Sequence, residues 1–427
     1  MEVDTFMKIV IVGAGSPYSP EIFKELSGKS SILPVEEIAL VDIDTNRLSI
    51  IHSFLERFSK RIGIRARITS HTHWDTALPG ADFVITQYRV GGNAARVKDE
   101  RIPLSMGFIG QETTGAGGMM KALRTIPVAL SLAHSMERLC PDAWMINYTN
   151  PSGMIAEALS KYSNIRSVGL CAGGIRPAQQ LAKAASVPEG EIRYDFFGLN
   201  HLNFAYNFTI HGKPISEELL QKTLESRYDE ATEPLIRALK LFPSSYLQYY
   251  FRTQKRYHDI TTAEKTRGER VLELEKVIYD AYANPACDDE PEELKLRGGG
   301  GYSQVAIGVL EALYTGVDRW MVCNVPNQGT VACLPNDAVI ETACIVNAAG
   351  IKPLPQPNFP KTVWGLVCAV KNYEQLAIEA AVTGNRNLAL AALVAHPLVR
   401  DADRALPLLD ALLEANREFL PNFFKEG

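Results

Sequence analysis

Two residues able to do metal or sulfur chemistry stand in short glycine-containing stretches, Cys171 in RSVGLCAGGIRP and His201 in GLNHLNF. A thiolate and an imidazole can hold a transition metal, and a thiolate can also attack a carbon centre. Most free cysteines do neither and pack as small hydrophobes. The thirty-residue gap between the two has no finger-like spacing, and no protease-like pattern surrounds Cys171. From these residues alone, core thiol, nucleophile and metal ligand all stay open. His71 and His73 in SHTHWD alternate as ligands could, but read better as one face of a strand end.

A second constellation lies near the N-terminus. GAGSPY directly follows the β-branched run KIVIV and precedes a helical pattern. Gly13 permits a tight turn, and Gly15 lets a pyrophosphate approach the backbone at a helix N-terminus, with Ser16 next in the turn. The third glycine of the dinucleotide fingerprint is replaced by Tyr18. The following strand, EIALV, ends at Asp42, placed to accept hydrogen bonds from an adenosine ribose. An acid there repels a 2′-phosphate, which favours NAD over NADP.

The elements that must position these residues alternate. KIVIV, EIALV, RARITS, DFVITQYR, AWMINYT and RSVGL read as strands, with helical patterns between most of them. Pro127 interrupts the longest helical pattern and is expected to mark a kink or boundary. Short apolar strands separated by helices predict an α/β fold with a doubly wound parallel sheet. Ligands bind beyond the carboxyl ends of such strands. Gln87, Arg89, Asn150, Cys171 and His201 all fall at that edge. After GLNHLNF the rhythm changes to charged helices over about 214–293, the glycine run RGGGGYS, and an Ala/Leu-rich helical tail over 372–419. We place a nucleotide-binding domain at 1–195 and a C-terminal α+β domain for substrate, metal and oligomerisation at 196–427.

Composition narrows the function. The 427 residues carry a formal net charge of −5, with 46% hydrophobic and 22% charged residues, ordinary for a soluble globular chain. That charge argues against a nucleic-acid or anionic-membrane partner. No apolar run approaches a bilayer span, and no secretory leader is visible. Seven thinly spread cysteines form no disulfide framework, so a cytoplasmic protein with reduced thiols is expected.

Taken together, VGAGSPYSPE, RVGGNAARVKDERIPLSMGFIGQETTGAGG, NYTNPSG, GLC, GLNHLNF, YLQYY, RGGGGYS and the segment near HPLV resemble the family-4 glycoside hydrolases, over essentially the whole chain. The resemblance implies a Rossmann-like fold related to lactate and malate dehydrogenases, and a homodimer or homotetramer. It implies NAD and a divalent metal, typically Mn²⁺, outside the usual two-carboxylate scheme. In such a reaction NAD⁺ oxidises C3 of the sugar, a base removes the C2 proton, and the aglycone is eliminated before water adds and the hydride returns. The metal ligands of the family fall on Cys171 and His201, and its base falls on Tyr246, with Tyr249 and Tyr250 as rivals. Its 6-phosphate arginines fall on Arg96 and Arg267, with Arg270 one helical register away. Asn150 is expected to bind sugar hydroxyls, and GQETTGAGG to form a flexible loop over the nicotinamide.

One position departs from the pattern. Relatives specific for α-linked phosphoglucosides carry an aspartate after the metal-binding cysteine, and β-specific ones an asparagine, with a proline two residues later. Here Ala172, Gly173 and Gly174 follow instead. Arg96 and PSSYLQYY fit the β-specific type best, so the expected substrate is a 6-phospho-β-glucoside. An α-linked or unphosphorylated glycoside is the alternative within the family. A 2-hydroxy acid dehydrogenase is the alternative outside it, weakened by the lack of an evident His/Asp relay.

Overall fold

Strand β1 (Met7–Val12) shows why the sheet forms. Its residues are buried except for the half-buried Lys8, so it must be covered on both faces. Ile9 and Ile11 face one core with Ile38, Leu40 and Ile85, under the helices Ser19–Ser27, Thr45–Ile62 and Tyr302–Thr315. Val10 and Val12 face the other with Val84, under Gly115–Leu139, Ser152–Tyr162 and Trp364–Thr383. The period of two thus builds two cores on one sheet. The structure is a computed structural model that describes residues 6–225, 233–239, 241–298, 300–356 and 359–424. Residues 226–232 and 240 of the charged helical stretch and Gly299 of the glycine run lie outside the described residues.

The further strands are β2 (Val35–Val41), β3 (Arg67–His71), β4 (Phe83–Thr86), β5 (Trp144–Asn147), β6 (Arg166–Gly169), β7 (Ile192–Leu199), β8 (Leu202–Ile210), β9 (Lys213–Pro214), β10 (Phe242–Pro243), β11 (Arg319–Pro326), β12 (Val339–Asn347) and β13 (Gly350–Pro353). Strands β3-β2-β1-β4-β5-β6 are parallel, the doubly wound order expected of a dinucleotide-binding fold. The sheet does not stop there. Asn324 of β11 pairs antiparallel with Gly169 of β6, and β12, β7, β8 and β10 continue the sheet antiparallel. One mixed sheet therefore runs through both halves of the chain, and residue 195 lies inside β7.

One local expectation is narrowed and another corrected. Of the kink or boundary expected at Pro127, the boundary is excluded, because the helix Gly115–Leu139 runs through it. GQETTGAGG is not one loop either: its last four residues open that helix. Packing there is close, since a Cβ on Gly117 would sit 2.7 Å from the Asp99 carbonyl oxygen. The helical tail is as expected, with helices Trp364–Thr383, Arg386–Ala395 and Ala402–Ala415.

A fully buried ion pair locks the helices around that segment. Asp99, on Gly92–Ser105, accepts from Arg124 of Gly115–Leu139 through both carboxylate oxygens, and neither side chain is exposed. Arg124 also donates to Val90 O at 3.1 Å and to Asn416 Oδ1 at 3.2 Å. Asp99→Ala leaves a buried guanidinium without its counter-charge and is expected to cost about 3–5 kcal/mol. Urea unfolding followed by circular dichroism checks this, and an unchanged midpoint contradicts it.

Candidate active site

The nucleotide turn is built as the spacing predicts. Gly13 has φ +85°, and a Cβ there would lie 2.7 Å from the Tyr88 backbone. Gly15 N–H donates to Asp42 Oδ2 at 2.8 Å, and Asp44 N–H donates to Asp42 Oδ1 at 2.9 Å. Burial raises the Asp42 carboxyl, against these two donors. Ser16 N–H closes the turn on Gly13 O at 3.1 Å. Tyr18 stands where the third glycine is missing, its hydroxyl bonded to Gly298 O and its ring under Arg297. Tyr279 and Tyr282, on the helix Arg267–Ala283, brace the turn from behind by donating to Gly15 O (2.5 Å) and Pro17 O (2.9 Å). Neither tyrosine was expected from sequence, since more than 260 residues separate each from its acceptor.

Cys171, His201 and Tyr246 line one cavity, with Arg176, Asn203 and Tyr302. Cys171 follows β6 and caps a short turn at Ala172–Ile175, its Sγ accepting from Gly173 N–H at 3.3 Å. Burial, and then the Glu341 carboxylate, push the thiol up to about 12. His201 occupies the β7–β8 turn at φ +65°, a backbone state rare for a non-glycine residue and common at functional sites. Burial pushes its imidazole down to about 3, so the ring is neutral. The Tyr246 ring stacks on it, centroids 4.1 Å apart. Burial raises the Tyr246 hydroxyl first, then Cys171 and Glu112. A phenol so placed needs a nearby cation to act as a base.

The site suits a divalent cation in one specific way. His201 Nδ1 is buried with no hydrogen-bond partner among the described residues, which is costly unless something completes it. With the Cys171 thiol in the same cavity, it forms a two-donor set. No cluster of three or more His, Cys, Asp or Glu suited to a metal exists among the described residues. Side chains of those four types alone would therefore leave coordination positions for oxygen donors, which a hard cation such as Mn²⁺ prefers.

A charged group flanks this neutral wall. Glu112 accepts from Arg89, from Lys121 Nζ at 2.9 Å and pairs with Arg96 Nη1 at 3.1 Å. Burial works to raise its carboxyl, yet Arg89, Arg96 and Lys121 hold it well below the usual range. Burial, then the Arg89 charge, bring Lys121 down to about 7. Glu112 and Lys121 were not singled out from sequence, because only their mutual packing marks them. Arg96 is also held by Glu100, Nε to Oε1 2.8 Å. Arg267 opens its helix and donates to Arg297 O, and after burial the Arg96 charge lowers it most, so the two guanidiniums lie within electrostatic reach. Asn150 is half-buried beyond the end of β5, joined to Pro151 by a cis peptide bond. Neither it nor Arg96 or Arg267 lines the Cys171 cavity.

This architecture, a dinucleotide-type turn and a thiol–imidazole–phenol cavity on one sheet edge, defines a nucleotide-dependent enzyme of the dehydrogenase-like α/β class. Lactate dehydrogenase from Eimeria maxima shares the fold alone, with TM-score 0.58, 17% identity and coverage of 90% of this chain and 100% of that one. The chain belongs to the family 4 glycosyl hydrolases, whose family model matches residues 8–187 and whose C-terminal domain model matches residues 196–399. It is 38% identical over 435 residues to a probable 6-phospho-beta-glucosidase of Bacillus subtilis (strain 168), covering 98% of each chain. The 6-phospho-beta glucosidase from Thermotoga maritima, solved with NAD and glucose-6-phosphate, superposes with TM-score 0.91 at 34% identity, covering 97% of this chain and 99% of that one. A second structure of that enzyme contains manganese, NAD⁺ and glucose-6-phosphate, with TM-score 0.90, 33% identity and the same coverage.

One feature of the HPLV segment is testable through pH. His396 is fully buried, accepting from Leu398 N–H through Nδ1 at 3.1 Å, with Nε2 3.1 Å from Thr114 Oγ1. Thr114 in turn meets the Tyr250 hydroxyl at 2.6 Å. Burial, then Arg400, push His396 from 6.5 down to about 3. Between those values the unfolded chain binds a proton that the folded chain refuses, so stability falls as pH drops from 6.5 towards 3. The urea midpoint should therefore fall between pH 7 and pH 5, and fall less in His396→Gln. Equal slopes for the two proteins would contradict this account.

Proposed function

We propose that this protein hydrolyses 6-phospho-β-glucosides, using NAD⁺ and a divalent metal such as Mn²⁺ without net redox. The observation that carries the reading is the buried His201 Nδ1, without a partner among the described residues, sharing a cavity with Cys171 and Tyr246 beyond the strand ends of a dinucleotide fold. When bound, the cofactors supply a hydride acceptor for C3 and Lewis acidity at the C2 and C3 oxygens.

The residues of the chain supply the rest. Gly13, Gly15 and Ser16 shape the turn that receives the pyrophosphate, and Asp42 exchanges its Gly15 contact for ribose hydroxyls. Cys171 and His201 hold the metal, and a buried neutral imidazole is already in the ligating form. Tyr246, stacked on His201, takes the C2 proton. Arg96 and Arg267 orient the 6-phosphate through charge-assisted hydrogen bonds, and Asn150 binds sugar hydroxyls. Residues up to about 195 form the nucleotide half, and the rest brings Tyr246 and Arg267. We read the protein as cytoplasmic, and as a homodimer or homotetramer by analogy with its family. Among the described residues no helix is long and apolar enough to cross a membrane.

Purified protein should cleave p-nitrophenyl 6-phospho-β-glucoside only when NAD⁺ and Mn²⁺ are both present, with solvent deuterium appearing at C2 of the product. Full activity after removal of metal and nucleotide would overturn the reading. Tyr246→Phe should lower kcat by roughly 10²–10⁴-fold while NAD⁺ binding, followed by calorimetry, persists. A Tyr246→Phe protein retaining wild-type C2 proton exchange would assign the base elsewhere.

A further inference from the structure

The segment after Cys171, where Ala172, Gly173 and Gly174 follow, does more than bring small residues to the site. The turn Ala172–Ile175 is pinned from behind: the Tyr194 hydroxyl donates to Gly174 O at 2.5 Å, and a Cβ on Gly174 would meet Val322 at 2.5 Å. That turn delivers Arg176 as the first residue of the helix Arg176–Ala185, and Arg176 lines the cavity shared by Cys171, His201 and Tyr246.

Arg176 differs from the other arginines around the site. Arg89 is held by Glu112, Arg96 by Glu100 and Glu112, Arg267 by Arg297 O, and Arg297 by Glu275. Arg176 is exposed, and its guanidinium has no hydrogen-bond or ion-pair partner among the described residues, leaving it open at the cavity edge to an incoming group. Its charge nonetheless reaches Cys171, His201, Tyr246 and Tyr302, lowering each.

We propose that Arg176 is a specificity-determining residue, receiving a carboxylate carried by an aromatic aglycone of the substrate. This rests on the glucosidase reading above. If Cys171 and His201 hold the sugar at its C2–C3 edge, the C1 substituent lies beside C2 and enters the same cavity. The arginines assigned to the 6-phosphate do not line that cavity, so its own cation faces the other end of the substrate. Pro177, Phe196 and Phe242 give the cavity an apolar wall for a ring, and Ser244 and Ser245 add hydroxyls. A planar guanidinium suits a carboxylate through two parallel hydrogen bonds. A guanidinium cannot donate a proton at working pH, so Arg176 does not act as a general acid.

The test compares 4-carboxyphenyl and 4-carbamoylphenyl 6-phospho-β-glucosides, nearly isosteric and differing in charge, with NAD⁺ and Mn²⁺ supplied. The wild-type protein should favour the carboxylate by about tenfold in kcat/KM at low salt, mainly through KM. Arg176→Gln should erase that ratio, and Arg176→Lys should keep part of it. Equal kcat/KM for the two substrates in wild type, or an unchanged ratio in Arg176→Gln, overturns the proposal. Calorimetry with 4-hydroxybenzoate and 4-hydroxybenzamide needs no turnover and separates the two readings. Loss of 4-hydroxybenzoate binding in Arg176→Gln supports the anion site even if no glycoside is cleaved, which would sink only the glucosidase reading. Turnover with benzoate binding unaffected by the substitution sinks the anion site alone.

Discussion

The geometry of the site depends on one buried carboxylate. Glu341, near the start of β12, accepts from Asn324 Nδ2 on β11 and Asn200 Nδ2 in the β7–β8 turn, each at 3.2 Å, and from Asn203. Asn324 also donates to Gly169 O at the end of β6, at 3.3 Å. The network therefore spans from the strand that delivers Cys171 to the turn that delivers His201. Burial pushes the Glu341 carboxyl up to about 7 against the pull of three amide donors. Burying such a group is costly unless it is fully hydrogen-bonded, and removing it would orphan the amides as well. That mutual dependence sets the position of His201 relative to Cys171 across four strands.

Around this clamp the chain separates neutral from charged chemistry. Burial keeps the Cys171 thiol and Tyr246 phenol protonated and the His201 imidazole unprotonated. These groups are thus held in uncharged forms, and a cation bound beside them would reverse that preference for thiol and phenol. The neighbouring charges are gathered on Glu112, which ties the end of β4, the helix Gly92–Ser105 and the helix Gly115–Leu139 through Arg89, Arg96 and Lys121. The segment expected to be a flexible loop is consequently fastened at its centre. Glu100 and Glu112 already occupy part of the Arg96 fork, and any anion reaching it would compete with them.

Local signals in the sequence were strong where the physics is local. A β-branched run before GAGSPY, an acid at the end of the next strand and short apolar strands alternating with helices act within a few residues, and the structure reproduces each. Cys171 and His201 were ambiguous from their residue types, and only the family resemblance implied a ligand role for them. The cavity brings them together with Tyr246, whereas Asn150, Arg96 and Arg267 stand outside its lining. Tyr302 was hidden in the glycine run, and Arg176 in what looked like a simple loss of an acid.

By itself, then, the sequence determined the parallel doubly wound half of the sheet, the nucleotide turn, and the residue types at the strand tips. These follow from hydrophobic period, backbone freedom at glycine and side-chain chemistry, all short-range properties. Only the tertiary structure decided that the sheet continues antiparallel through β11, β12, β7 and β8, and that Glu341 spans the junction. It also decided that Glu112 is clamped by three cations and that Arg176 alone among the arginines compared around the site has no partner among the described residues. The sheet junction depends on burial and on contacts between segments 141 and 155 residues apart, where the cost of an unpaired buried group selects the partner and no local pattern records it.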